Sequence, residues 1–332
     1  MKHSKWRIKH WWWQLYEDIV GKIVINARAI FGVICLAAYP SSESLAAEGA
    51  ASNYFPGAYG SILPGVAPEP GPLVQSLNLY FNGKASGAVL SGTANVSIAA
   101  DAFVTMVQGV YAWDAPEIGG RFAVGGYVPY VETSLNASLT VGPFAAGFSD
   151  GNANIGDIGI IPASFYWNHG NFHFNLYEMI VMPTGEYSLS NRLNVGRNYW
   201  SFDTVLATTW LNPETGTDIS AVAGIMANTT NTATDYRTGT EFHLDLMANQ
   251  FLSETFAVGV HGYIYEQLEG DSGTGAILGP FKGESAGIGG GFTWIPASHG
   301  GNVVISAKWI HDVSGQNRLQ GDYGTLSVAV KF

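Results

Sequence analysis

The chain closes on Thr325-Leu326-Ser327-Val328-Ala329-Val330-Lys331-Phe332. Leu326, Val328, Val330 and Phe332 share one parity, and Thr325, Ser327, Ala329 and Lys331 share the other. Successive side chains of a β-strand point to opposite faces, so this is a strand with one apolar face that runs into the last residue. Other stretches repeat the pattern. In 238–250, Phe242, Leu244, Leu246 and Ala248 oppose Glu241, His243, Asp245 and Met247. In 255–267, Phe256, Val258, Val260 and Ile264 oppose His261, Tyr263 and Tyr265. In 302–313, Val303, Ile305, Ala307 and Trp309 oppose Ser306, Lys308 and Asp312.

Composition narrows what such strands build. Of 332 residues, 47% are hydrophobic, 13% aromatic and only 12% charged, with 42 glycines. A soluble domain carries about twice that charge, and this much Gly, Thr, Ser, Tyr and Asn does not favour long helices. From Leu73 the chain divides into twelve strand-like segments, near 73–83, 98–113, 119–132, 155–168, 171–182, 198–211, 217–228, 238–250, 255–267, 284–296, 302–313 and 322–332. Each meets the roughly 9–11 residues a membrane-spanning strand needs.

Connections after even strands are short: Asp114–Ile118, His169–Gly170, Asn212–Gly216, Phe251–Glu254 and Ala297–Gly301. Those after odd strands are mostly longer and polar. Short turns at one rim and long loops at the other are the pattern of outer-membrane barrels, and an even count returns both ends to one side. Trp113, Trp167, Trp210 and Trp294 sit at strand ends beside the short turns, and Trp200 and Trp309 nearer the other rim. Indole rings favour the membrane interface. The expectation is an all-β fold: a transmembrane antiparallel β-barrel of about twelve strands over 73–332, with an extended N-terminal segment. The final strand also resembles the closing strand of bacterial outer-membrane barrels. That resemblance implies an outer-membrane location, a lipid surround, and a role for Phe332 in the signal read by the barrel insertion machinery.

Residues 1–47 read as a leader. Ala29-Ile30-Phe31-Gly32-Val33-Ile34-Cys35-Leu36-Ala37-Ala38-Tyr39 follows Arg28 and precedes Ser44-Leu45-Ala46-Ala47. A basic flank, a short apolar run and a small-residue site make a secretory signal, too short for a spanning helix of about 20 residues. Cleavage after Ala46 or Ala47 leaves a chain with no cysteine. The stretch 1–24, with Trp11-Trp12-Trp13, is unusual in a leader and suggests a true start at Val20 or Val24. Residues 48–72 alternate Pro56, Pro64, Pro68, Pro70 and Pro72 with Gly57, Gly60, Gly65 and Gly71. Such a run cannot supply a ladder of donors, which leaves a periplasmic tail or a plug folded into the lumen.

Net charge is −11. Without residues 1–47 the chain has nine basic against 23 acidic residues, a net charge of −14. A nucleic-acid partner wants a basic face and is not expected; carboxylates facing a lumen would give mild cation preference. A Lys facing lipid at mid-membrane costs roughly 2–4 kcal/mol, so Lys308 should face inward. By alternation the pore-lining candidates are Asp203, His243, Asp245, His261, Tyr263, Tyr265, Lys308 and Asp312. Each can equally belong to a structural network filling a narrow bore. In 171–182 the phase is imperfect: Phe172, Phe174 and Leu176 share parity with Glu178, which calls for a bulge or a rim position.

Met182-Pro183-Thr184-Gly185-Glu186-Tyr187, followed by Asn194-Val195-Gly196-Arg197-Asn198-Tyr199-Trp200, resembles the outer-membrane family named for the meta-pathway of phenol degradation. Pro183, Thr184, Gly185, Glu186, Tyr187, Asn194, Gly196 and Asn198 carry the match, and the likeness extends from about Leu73 to Phe332. The stretches 84–97 and 133–154 are not matched to it. The resemblance implies a monomeric barrel associated with passage of small hydrophobic or aromatic compounds across the outer membrane. It supplies no catalytic residues. Physically, Pro183 ends a strand without needing a donor, Gly185 and Gly196 permit turn conformations closed to other residues, and Arg192 and Arg197 are placed to pair with loop carboxylates such as Glu186.

Enzymatic signals are weak. Gly283-Glu284-Ser285-Ala286-Gly287 has the spacing of a nucleophile elbow, but that motif needs a strand–turn–helix context and here it opens a Gly-rich strand. The same glycines give no dinucleotide fingerprint. His169 and His173 flank a tight turn with no third metal ligand nearby. The reading is a channel for passive uptake, with no cofactor, metal or enzymatic activity expected; the alternative is a non-transporting structural or lipid-modifying barrel.

Overall fold

A computed structural model describes residues 47, 48, 52–60, 63–89, 94–277 and 279–332. The leader, with Cys35 and Trp11–Trp13, lies outside the described residues save Ala47. The strands are β1 (Gly71–Val89), β2 (Ala94–Ala115), β3 (Gly120–Val141), β4 (Phe144–Ile155), β5 (Ile158–His169), β6 (Phe172–Met182), β7 (Ser201–Asn212), β8 (Thr217–Asn228), β9 (Glu241–Ser253), β10 (Phe256–Gln267), β11 (Glu284–Trp294), β12 (Val303–Gln316) and β13 (Gln320–Lys331). All pairings are antiparallel, and β13 returns to β1 from Leu73↔Lys331 to Lys84↔Gln320. β3 pairs with β4 over Tyr130–Val141 and with β5 over Arg121–Tyr127. β4 and β5 are thus two halves of one stave, interrupted at Gly156-Asp157, and the cylinder has twelve staves.

The two faces of the wall are the reverse of a soluble protein. On β7–β9 the inward row includes Ser201, Asp203, Asp218, Glu241 and His243, all fully buried, while Phe202, Leu206, Ile219, Ile225 and Leu246 stand exposed. A globule in water would bury the second set and expose the first; a barrel in lipid does the opposite. Aromatic rings mark the belt. Beside the short turns, Trp113, Phe122, Phe165, Trp167 and Phe174 run from stave to stave with centroids 5.1–6.0 Å apart. Nearer the long loops, Tyr80 stacks on Trp309 at 5.8 Å.

Within the two stretches that the family resemblance left unmatched, 84–89, 94–97, 133–141 and 144–154 continue as strand. β2 and β3 are each 22 residues long, about twice a membrane crossing. The excess carries β1–β4 past the long-loop rim as a blade, and its outer face turns polar there. Ser97, Asp101, Ser134, Asn136 and Ser138 take the outer face; Ile98, Ala100, Leu135, Ala137, Leu139 and Phe148 take the inner one. Above the lipid the outer face meets water, and only the inner row stays apolar.

In β6 the sequence left a choice between a bulge and a rim position for Glu178. β6 is regular. The irregularity lies in the neighbouring β5, where Pro162 cannot donate and the β5–β6 register shifts between Ile160 and Ala163. Glu178 stays on the outer face and accepts a 2.6 Å hydrogen bond from the Thr204 hydroxyl.

Candidate functional site

The lumen is divided by the chain itself. Residues 52–60 and 63–70 run down inside the barrel from the long-loop mouth to the start of β1, and the wall supplies the hydrogen bonds that this Pro- and Gly-rich segment cannot make alone. Ser52 donates to Glu241 at 2.7 Å and Asn53 to Ser201 at 2.7 Å. The Tyr54 hydroxyl and the Gly57 amide donate to the two oxygens of Asp245 at 2.9 and 3.0 Å. Lys308 donates to the Gly60 carbonyl, the Gly65 amide to Thr209 at 3.0 Å, and Arg121 to the Pro68 carbonyl. At Gly65 a Cβ would lie 2.5 Å from the His173 carbonyl oxygen, so only glycine lets the segment pass that close to β6. Tyr54 is the anchor: its ring stacks on His243 at 4.5 Å and on Tyr265 at 5.8 Å.

Asp203, His243, Asp245, His261, Tyr263, Tyr265, Lys308 and Asp312 all project into the lumen, but on the wall the inserted segment covers. His243 is held by both oxygens of Asp203 at 3.0 and 3.1 Å, His261 by Asn249 at 3.0 Å, and Tyr263 donates to Asp312. None of the eight lines either of two cavities that open beside the segment.

Those cavities lie between the inserted segment and the opposite wall, β1–β3 and β5. The upper has a volume of about 630 Å³ and opens toward the long-loop mouth; the lower has about 240 Å³. They share Asn53, Phe55, Leu79, Met106 and Tyr127, which form the waist between them. The remaining wall is mostly apolar: Phe81, Ala102, Val104 and Val131 above, Leu77, Val110, Ala123 and Ile161 below. Alternation missed these residues because it assigns polar groups to the bore. The available signal was that β2 is apolar at both parities, as in Phe103, Val104, Met106 and Val107, which is the mark of a strand buried on both faces.

The loop after β6 forms one side of the upper cavity. Gly185 and Gly196 do not take left-handed backbone angles, contrary to the turn role expected from the sequence. They are glycines because two chain segments touch there: a Cβ on Gly196 would lie 2.7 Å from the carbonyl carbon of Gly185, and one on Gly185 would lie 2.7 Å from that of Gly156. Asp157 completes the crossing by accepting the Gly185 amide at 2.8 Å and the Arg197 amide at 2.7 Å. Burial pushes its carboxyl above the usual range, and these two amides pull it back. Around this knot, Pro183 ends β6, Thr184 accepts the Ile158 amide at 2.9 Å, and Asn194 both accepts from and donates to the Ser188 backbone. Asn198, the motif residue that does carry a positive φ (59°), donates to Asn231, which in turn donates to Tyr187. Glu186 is not ion-paired with Arg192 or Arg197. It accepts from Asn152 and Asn191 at 2.9 and 2.7 Å, and Arg192 lies over the Phe148 ring, 5.4 Å from its centroid.

Ser285 is buried near the start of β11, opposite Tyr265 and Gly315, without a helix after it. Among the described residues no three His, Cys, Asp or Glu side chains gather as a metal site.

Comparison with curated proteins gives no match. Among solved structures, the COG4313 outer membrane channel from Pseudomonas putida F1 superposes with a TM-score of 0.65 at 14% identity, covering 84% of this chain and 100% of that one. The transport unit of the autotransporter AIDA-I from Escherichia coli gives 0.47 at 12% identity, over 79% and 90% of the two chains. A family model with the description "Putative MetA-pathway of phenol degradation" matches residues 85–328. With that match over a closed twelve-stave cylinder that is apolar outside and polar within, the chain belongs to this family and is a β-barrel of the bacterial outer membrane.

Proposed function

We propose that the protein is an outer-membrane channel for passive uptake of small hydrophobic or aromatic compounds, and that solute moves along the apolar wall. The observation that carries this reading is the pair of cavities joined at the Phe55–Leu79–Met106–Tyr127 waist. A polar bore would favour hydrated solutes, but here the polar wall is occupied by the chain's own N-terminal segment and the free space faces aliphatic and aromatic side chains. The apolar inner face of the blade leads into the upper cavity, where Ala102, Val104 and Val131 offer an uncharged solute an apolar track beside the charged Arg192, Arg197 and Arg318. His243, Asp245, Tyr265 and Lys308 then act as fasteners of the inserted segment. The phenol-degradation description of the family is consistent with an aromatic solute.

The test is uptake by a deletion strain of a panel of aromatic acids, phenols and hydrocarbons, against the same strain complemented with wild type or with Met106→Trp. Filling the waist should reduce uptake of the uncharged aromatics at least about tenfold while the barrel still inserts. Equal uptake by deletion, complemented and Met106→Trp strains would refute the proposal.

A further inference from the structure

The outer end of the inserted segment points to a binding site for the protein's own processed N-terminus. Ala47 is buried, and its backbone nitrogen lies 2.9 Å from Asp271 Oδ2. Asp271 is itself 3% exposed and also receives the Tyr236 hydroxyl, the Gln267 amide group and the Gly239 amide, the last at 3.2 Å. The next residue is gripped as closely. The Glu48 amide donates to the buried Thr238 hydroxyl at 3.4 Å, and its carboxylate accepts from Asn231 at 2.9 and 3.0 Å and from Thr234 at 2.7 Å. These partners come from the β8–β9 and β10–β11 loops at the long-loop mouth.

A second observation comes from the backbone. Ala47 has φ of 65°. Within a chain that angle drives an alanine Cβ against the preceding peptide group and is disfavoured. A residue with no preceding peptide group has nothing to clash with. The third observation is in the sequence. Small residues are wanted one and three positions before a signal cleavage site; cleavage after Ala46 places Ala46 and Ser44 there, whereas cleavage after Ala47 places Leu45 at the outer position.

We propose that a signal peptidase hydrolyses the Ala46–Ala47 bond and that the new Ala47 α-ammonium is seated as a buried ion pair on Asp271, fastening the inserted segment at the mouth. In the hydrolysis, water adds across the amide: Ala46 leaves as a carboxylate, and the nitrogen of Ala47 takes up protons to become the ammonium. The buried Asp271 carboxylate then gains a counter-charge in place of a neutral amide. An amine is recognised here by one carboxylate plus a fixed second residue, a form of terminal capture. The site stands whether or not a solute passes through the barrel.

The experiment is N-terminal sequencing of the protein purified from outer membranes, followed by labelling of its α-amine with an amine-reactive reagent before and after heat unfolding. Sequencing should begin Ala-Glu-Gly-Ala. The folded wild type should label at least about tenfold more slowly than the unfolded protein, because the amine is reached only through local opening. Asp271→Asn should label at close to the unfolded rate while retaining the gel mobility shift of a folded barrel. A sequence starting at any other residue, or equally rapid labelling of folded and unfolded wild type, overturns the proposal. If Asp271→Asn does not fold, the wild-type comparison still decides.

Discussion

At the scale of single residues, two contacts set what the mouth and lumen tolerate. Gly185 and Gly196 meet backbone to backbone, so an added methyl has no flexible side chain to push aside. Gly185→Ala and Gly196→Ala should each destabilise the loop by about 1–3 kcal/mol, read as faster proteolytic cleavage within 183–200 while the barrel itself stays intact. Asp245 is the second. Removing its carboxylate in Asp245→Ala leaves the Tyr54 hydroxyl and the Gly57 amide buried without acceptors, at a cost of about 1–3 kcal/mol for an unsatisfied group. The inserted segment should loosen without unfolding of the wall, and single-channel recordings should change from quiet to flickering. Recordings indistinguishable from wild type would remove Asp245 from the set of fasteners.

Among the elements, the N-terminal segment and the blade differ from their surroundings in opposite ways. The segment has no ladder of its own and borrows its bonds from the polar wall, so it contributes little to closure of the sheet. Deletion of residues 52–66 should therefore leave a folded, heat-modifiable barrel whose ionic conductance is several-fold higher, with cation preference from the uncovered Asp203, Glu241 and Asp245. A barrel that fails to fold would instead make the segment part of the wall's own stability. The blade is paired within β1–β4, with β4 and the end of β1 as its open edges, and owes its polar outer face to its position beyond the lipid. The same alternation that places Tyr80 and Phe103 outward within the membrane places Lys84 and Ser97 outward above it.

For the whole molecule, the bilayer decides stability. Glu178 lies about six residues along β6 from the short-turn rim, and the exposed Phe202, Leu206 and Ile225 surround it on the next two staves. A carboxylate on the lipid face is unfavourable, though less so than a Lys or Arg, and Thr204 offsets part of that cost. Glu178→Leu should raise the stability of the vesicle-embedded barrel by about 1 kcal/mol, measured by denaturant unfolding. Loss of stability on this change would mean that the carboxylate has a partner worth more than its solvation.

Much of this was legible without coordinates. Period-two alternation needs only that each strand separate two solvents, so Val258 and Val260 against His261 and Tyr263 fixed both the strand type and the inward side. The twelve strand-like segments gave the number of staves, an even count as antiparallel closure requires, and the short–long rhythm of connections told the two rims apart. The motif around Pro183–Tyr187 marked the family. What required the tertiary structure was anything set by chain segments meeting from far apart. Gly185 needs its missing side chain because of Gly196 and Gly156, and neither contact follows from local sequence. Which wall of the lumen stays open depends on where residues 52–70 lie, and those residues carry no periodicity to place them. The sequence alone determined a cylinder with a greasy outside, since that follows from solvent partition strand by strand; only the assembled fold decided that the open side of the bore is the more apolar one, since that follows from which half of the interior the chain uses to bind itself.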